Sequence, residues 1–274
     1  MHGKTVLITG ASSGIGKVAA RELAGAGAHV IMVARPSPWA EAAYRDVAAA
    51  GHADVEWADL SSQAQIHDLA ARLRGRPIHV LINNAGAVFP TRQLTVDGIE
   101  ATFATNHLGY FLLSQLLLPT LKANAPARIV NVASDAHRRG RIDLGDLQAE
   151  KRYRSFRVYS NSKLANVLFT AELARRLRDT GVTANCLHPG VVRTGFARQY
   201  NGLMKWVWKV GGLFMISPEQ GAHTIVFLAS SPGVAGVNGQ YFQRCHPVTP
   251  SRAARDPELA RRLWAESERL IART

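Results

Sequence analysis

Cysteine is nearly missing from this chain, with Cys186 and Cys245 the only two among 274 residues. They are far apart and lack metal-ligand spacing, which sets aside a disulfide scaffold and a zinc module and fits a reducing, cytoplasmic setting. Acidic residues are also scarce: 20 Asp and Glu stand against 33 Lys and Arg, for a net charge of +13. The arginines do not gather. Arg175, Arg176, Arg178, Arg252, Arg255, Arg261 and Arg262 are scattered along helical stretches among Ala and Glu. With no RNA-binding aromatic signature and no compact basic tail, nucleic acid is not the expected partner, and attraction of a small anionic ligand is. No apolar run approaches the ~20 residues that span a bilayer. Met1–Thr9 holds only a short apolar stretch before glycines and serines, so no secretory leader is expected. No internal repeat or linker divides the sequence, and 47% hydrophobic content suits a single domain over residues 1–274.

What is present alternates. Short β-branched runs read as buried parallel strands at Thr5–Thr9, His29–Ala34, Val55–Ala58, His79–Asn83, Arg128–Ala133 and Thr183–His188, with a last short strand at Gly239–Gln243. Helical periodicity fills the gaps at Gly14–Ala26, Ala40–Ala50, Ser61–Leu73, Val96–Leu121 and Val158–Thr180, then Pro218–Ala229 and Pro257–Ile271. Sustained strand–helix alternation predicts an α/β, doubly wound parallel sheet of about seven strands with helices on both faces. Its ligands should lie at the carboxyl ends of the strands. Two stretches break the rhythm. Arg138–Arg157 is polar and aperiodic and reads as a loop. Residues 193–217, with Met204, Trp206, Trp208, Leu213 and Phe214, are too apolar for an open loop and read as a substrate lid. Weak membrane contact through 202–216 is the other reading of that stretch, with Lys205 and Lys209 beside the apolar residues.

The motifs fall at the strand ends. After the first strand comes "TGASSGIG", where Gly10, Gly14 and Gly16 permit a tight turn and close approach of backbone to a diphosphate at a helix N-terminus. Ser12 and Ser13 add donors in that turn. At the end of the second strand, an NAD site carries an acid for the ribose hydroxyls; here Ala34 and Arg35 stand instead, which favours the 2′-phosphate of NADP(H) over NAD(H). "ADL" follows the third strand, where Asp59 can accept from an adenine amino group. "NNAG" follows the fourth, with small Ala85 and Gly86. Next come "TNHLG" with Asn106, "VNVAS" with Ser134, "YSNSK" and "HPGVVRT". Tyr159 and Lys163, four residues apart, share one helix face.

In this order, these motifs resemble the short-chain dehydrogenase/reductase family over nearly the whole chain. "NHLGYFLL", "RIVNVASDAHRRGRI", "YSNSKLANVLFTAELARRL" and "ARRLWAESERLI" look like its retinol dehydrogenase branch. The resemblance implies a Rossmann-type fold and hydride transfer between nicotinamide and a carbonyl or alcohol of an apolar, bulky substrate. Tyr159 would be the acid/base and Lys163 would lower its pKa and bind the nicotinamide ribose. Ser134 would orient the carbonyl, and Asn106 would hold a water in a proton relay. Cofactor contacts would come from Gly10, Ser12, Ser13, Gly14, Ile15 and Gly16, from Arg35, Asp59 and Leu60, and from Asn83, Ala85 and Gly86. Tyr159, Lys163, Pro189, Gly190, Val192 and Thr194 would complete them. Retinol dehydrogenases of this branch usually carry an amino-terminal membrane anchor. This sequence opens at its first strand, so no anchor is expected. Two alternatives stay open: a peripheral membrane retinoid or lipid-aldehyde reductase, and a non-catalytic dinucleotide-sensing scaffold. Assembly as a homodimer or homotetramer is left open as well.

Overall fold

Residues 1–191 and 216–272 are described by the computed structural model. Seven parallel strands form the sheet: β1 (Thr5–Thr9), β2 (His29–Ala34), β3 (Ala53–Trp57), β4 (Val80–Asn83), β5 (Ala127–Val132), β6 (Val182–His188) and β7 (Tyr241–Gln243). An antiparallel β8 (His246–Pro247) closes one edge, giving the order β3-β2-β1-β4-β5-β6-β7-β8. The chain winds outward from β1 to β3, then returns to start β4 on the other side of β1. The reversal opens a crevice at the carboxyl ends of β1 and β4, where an open α/β sheet binds its ligand.

Alternate residues of each strand serve opposite faces. Val6, Ile8, Val30, Met32, Val80, Ile82 and Val130 pack on the face covered by α1 (Gly14–Gly25) and α7 (Pro218–Ser230). Leu7, Ile31, Leu81 and Ile129 pack on the other, against α3 (Gln63–Arg72), α5 (Gly109–Ala123) and α6 (Ser155–Arg176). With apolar layers on both sides the strands show continuous apolar runs. α2 (Pro38–Ala48) leads to the β3 edge, with its Ser37 side chain accepting from Ala40 N–H. α8 (Pro257–Ile271) lies on α5 and α6, and its Trp264 ring sits 4.8 Å from Phe111 and 5.8 Å from Phe169, with the Arg176 guanidinium 4.1 Å above it. Among the described residues, no helix is long and apolar enough to cross a membrane.

Several boundaries differ from expectation for identifiable reasons. The helix expected from Val96 begins at Ala101, since Gly98 in a left-handed turn (φ 72°) precedes it and buried Glu100 caps it through Thr102 and Phe103 N–H. That short α4 (Ala101–Phe103) passes into a π turn over Ala104–Leu108 and then α5, which reaches Ala123. α6 starts at Ser155, inside the expected loop, and stops short of Thr180, as Asp179 (φ 61°) and Gly181 (φ 75°) turn left-handed. A 3-10 turn, Asp135–Arg139, also falls at the start of that expected loop. β8 has no counterpart in the sequence pattern. Its hairpin turn uses Arg244 and Cys245 at φ 49° and 63°, positions where Asn and Gly ordinarily announce a turn.

Candidate active site

The crevice is stapled by Thr9. Its Oγ1 accepts from the backbone N–H of Asn84 (2.9 Å) and Ala85 (3.1 Å) and donates to Ile82 O, while the Asn84 side chain donates to Thr9 O (2.8 Å) and Gly10 O (3.1 Å). The glycine turn is thereby fixed against the end of β4. Gly10 holds φ 65°, and a Cβ there would lie 2.7 Å from Ala85 Cα. A Cβ on Gly16 would lie 2.3 Å from Asn84 Nδ2 and 2.5 Å from Gly10 O. Gly14, at φ 55°, admits the turn into α1, and Ile15 packs into the core below.

Ser13 occupies the N-cap of α1 in extended conformation, yet its side chain makes no cap bond and no acid stands in the first turn. The N-terminal serines or aspartate of α2, α3, α7 and α8 all cap theirs. The first amides of α1 therefore keep their donors, and with Ser12 half-buried beside them they form a cradle that fits a dinucleotide diphosphate.

Arg35 follows Ala34 with its side chain 76% exposed, 3.9 Å from Asp59 Oδ2. The expected cation without a carboxylate needs correcting here: Asp59, in the loop after β3, stands within ion-pair distance. The other Asp59 oxygen accepts from Ser61 N–H. Leu60 is buried in the core. Asn83 also faces inward, fully buried: its Nδ2 donates to Ser114 Oγ (3.0 Å) and Asn131 Oδ1 (2.8 Å), and Asn131 donates to Thr170 Oγ1 (2.9 Å). Thr170 in turn donates to Asn166 O. Asn83 thus supports the crevice from within, and Asn84 lines it.

The reacting groups assemble beyond β5. Ser134 caps the turn Asp135–Arg139 in extended conformation, its Oγ accepting from Ala136 N–H (3.2 Å). Its hydroxyl also hydrogen-bonds Tyr159. Lys163, one turn further along α6, is 4% exposed. Its Nζ donates to Val132 O (2.9 Å) and lies 5.8 Å from the ring centres of both Tyr159 and Tyr110. Tyr110 donates to Ala85 O (2.7 Å), and a Cβ on exposed Gly86 would touch Lys163 Nζ (3.7 Å) and Asn106 Oδ1 (3.5 Å). Ser134, Tyr159, Lys163, Gly86 and Asn106 thus meet at one end of the sheet.

Burial sets the proton affinities. It pulls Lys163 down from 10.5 to about 7, so ammonium and amine coexist near neutrality. It pushes Tyr159 above the usual phenol value, and the Ser134 hydrogen bond pulls the other way. Without cofactor, desolvation outweighs the expected lowering of Tyr159 by Lys163, and the specific opposing contact is the Ser134 hydrogen bond. Asn106, in the π turn, has its side chain committed. Oδ1 accepts from Ala87 N–H (2.7 Å), and Nδ2 donates to Ala87 O (2.9 Å) and Ser162 Oγ (3.0 Å). It ties the loop after β4 to α6.

Pro189 and Gly190 follow β6 and are half-buried; Gly190 takes φ 97°, where a Cβ would meet Ile216 Cδ1 at 2.3 Å. Ile216 N–H donates to Val191 O (2.9 Å), joining the two described ends around the intervening stretch. Val192, Thr194, residues 193–215 of the expected lid and 202–215 of the membrane segment lie outside the described residues.

Thr9, Asn84, Tyr110 and His137 escaped the sequence reading. Asn84 stood inside a quoted motif, but Thr9 meets it across 75 residues, a pairing no local pattern encodes.

Residues 4–205 match the family described as short chain dehydrogenase. The chain is 44% identical to retinol dehydrogenase 13 of Homo sapiens over 280 residues, covering 98% of this chain and 85% of that protein. Its fold is similar to a crystal structure of an uncharacterized protein from Mycobacterium Paratuberculosis: TM-score 0.82, 39% identity, 99% of this chain and 94% of that one. It is also similar to the Pseudomonas aeruginosa RhlG/NADP active-site complex: TM-score 0.73, 26% identity, 95% of this chain and 97% of that one.

Proposed function

The chain belongs to the short chain dehydrogenase family, and from that footing we propose that it is an NADP(H)-dependent carbonyl reductase or alcohol dehydrogenase acting on an apolar, bulky substrate. It is an oxidoreductase of a nicotinamide-using family with a small-molecule substrate. The observation carrying the finer reading is the Ser134–Tyr159–Lys163 cluster beyond the end of β5, with Ser134 and Tyr159 half-buried and Lys163 buried, on the same side of the sheet as the uncapped α1 terminus.

When bound, nicotinamide supplies or accepts the hydride. The chain's own residues handle the proton. Tyr159 Oη gives its proton to the carbonyl oxygen in reduction and takes it back in oxidation, a contribution of ~10²–10⁴-fold. Ser134 donates a hydrogen bond to that oxygen as charge accumulates on it. Lys163 in its ammonium form stabilises the phenolate, and its bond to Val132 O keeps the head group on the tyrosine face of α6. Asn106 holds Ala87 and Ser162 in place, which aligns the Gly86 strand end with α6.

Arg35 supports the cofactor choice. An exposed pair with Asp59 at 3.9 Å contributes at most about 1 kcal/mol. A charge-assisted contact to a 2′-phosphate contributes ~1.5–3 kcal/mol, which would draw the guanidinium from Asp59 and favour NADP(H) roughly ten- to a hundredfold. The tryptophans and other apolar residues between 204 and 214 support an apolar substrate. A cytoplasmic site of action, suited to the two free thiols, belongs to the same proposal. The test is a titration of NADPH and NADH, followed by initial rates against aldehydes, ketones, quinones and retinoids. Equal dissociation constants overturn the NADP(H) assignment, and absence of turnover across the panel overturns the catalytic one.

A further inference from the structure

Ser134 is held at its carbonyl by His137, three residues further along the chain. His137 is fully buried, and its ring makes two bonds. Nδ1 lies 2.8 Å from Ser134 O, and Nε2 lies 3.1 Å from the backbone nitrogen of Ser251. A backbone N–H can only donate, so Nε2 must accept; a carbonyl can only accept, so Nδ1 must carry the proton. The two bonds are compatible in one neutral tautomer alone. The Ser134 carbonyl also takes the His137 backbone N–H (3.0 Å), so one residue holds it twice. Tyr241 packs its ring against the imidazole, with centres 4.8 Å apart at 64°. Arg138 adds a second link to the same distant segment by donating to Thr249 O (3.0 Å).

We propose that His137 is a positioning residue that holds Ser134 in register with Tyr159 and couples the Ser134 turn to the segment Thr249–Ser251. This rests on the reading of Ser134 and Tyr159 as the reacting pair. The Ser134 Oγ accepts from Ala136 N–H, so its own proton is free to point toward Tyr159 and a substrate oxygen only while the backbone keeps its extended conformation. The double hold on the Ser134 carbonyl fixes that conformation. Burial keeps the imidazole pKa below its ordinary range, which favours the neutral form the two bonds require.

Two amide variants separate the two ends of the ring. The Asn side-chain nitrogen overlays Nδ1, so His137→Asn keeps the donor to Ser134 and loses Ser251. Gln reaches the Nε2 position, so His137→Gln keeps an acceptor for Ser251 and loses the side-chain hold on Ser134, leaving only the backbone N–H. We expect His137→Gln to lower kcat about 10- to 100-fold, the size of effect that small misplacement of a reacting group produces. Its KM for NADPH and its Tm should stay near the parent's, and His137→Asn should keep kcat within about threefold. Ultraviolet difference titration of Tyr159, against a Tyr159→Phe background, should show its pKa raised in His137→Gln and unmoved in His137→Asn. If both variants lose kcat in proportion to lost Tm, or if His137→Gln turns over like the parent, the proposal is overturned. A parent enzyme inactive on every carbonyl tested would overturn the catalytic reading instead, and the Tyr159 titration would still decide the fate of His137.

Discussion

Lys163→Met should make the protein more stable at neutral pH and less stable at high pH. Methionine fills a similar volume without a charge. In the unfolded chain the ammonium persists to about 10.5, whereas in the fold burial brings its pKa to about 7. At about 1.4 kcal/mol per pH unit, that difference sets roughly 4–5 kcal/mol against the folded parent below pH 7. The penalty fades as pH rises from 7 to 10.5, because over that interval the unfolded state alone still binds the proton. Methionine escapes the penalty but leaves Val132 O, the partner of Nζ at 2.9 Å, without its donor. An unmatched buried acceptor costs ~1–3 kcal/mol at any pH. The balance gives the variant an advantage of about 1–3 kcal/mol at pH 6.5, a crossing near pH 9, and a similar deficit above pH 10. Urea unfolding of parent and variant at pH 6.5, 8 and 10, without cofactor, reads the difference directly. A gap that does not change with pH would refute the buried-ammonium account, even if Lys163→Met is inactive. A variant that is both firmer and dead would identify Lys163 as a residue kept at the expense of stability.

Tyr159→Phe should lower turnover by ~10²–10⁴-fold with NADPH affinity preserved, checked by single-turnover rates and fluorescence titration; rates near the parent's would remove the phenol from the chemistry. Gly16→Ala places a methyl 2.3 Å from Asn84 Nδ2 and 2.5 Å from Gly10 O, so overpacking should cost ~1–3 kcal/mol and lower Tm by several degrees, with an unchanged Tm counting against the staple. Arg35→Ala with Ala34→Asp should reverse the cofactor preference, mostly through affinity, and added salt should weaken NADPH binding more than NADH binding in the parent. Glu172, 2% exposed and paired with Arg175 and Arg176 at 2.7 Å, has its pKa lowered chiefly by the Arg175 hydrogen bond. Glu172→Gln should therefore lose about 1–2 kcal/mol at pH 7, as urea unfolding would show, and the loss should shrink as acid titrates the parent carboxylate below its unfolded value near 4.5.

The sheet was readable because its strands are apolar on both faces and its helices on one, so period and length alone place β1, β2 and α8 to the residue. The failures share a cause. Asn83 and Asn84 are adjacent and chemically identical, yet strand alternation sends the first to the α5 side with Leu81 and the second to the glycine turn. Only the strand's placement in the sheet decides which does what. Helix spacing puts Tyr159 and Lys163 on one face, and the family resemblance implies that the lysine tunes the phenol, but neither carries the desolvation that moves both groups. Asp59 reaches Arg35 from the loop after β3, and Ser251 reaches His137 across 114 residues. Contacts of that span are written in the fold and not in any window of the sequence.

The amide ladder through the core has a meaning for assembly. Val80-Leu81-Ile82 beside Ile129-Val130 would pack tolerably in more than one alignment, since hydrophobic contact is indifferent to which branched side chain it meets. Asn83 and Asn131 are not indifferent. They face each other as Cα partners, and their amides join Ser114 on one side to Thr170 on the other. Sliding β5 by one residue would set Asn83 against a valine and strand two buried amides, at ~1–3 kcal/mol for each orphaned group. The ladder thus acts as a key that admits one alignment of β4 and β5. The Gly86 strand end and the Ser134 turn leave those same two strands, so a mistake in pairing there would misplace the reacting groups before any substrate arrived.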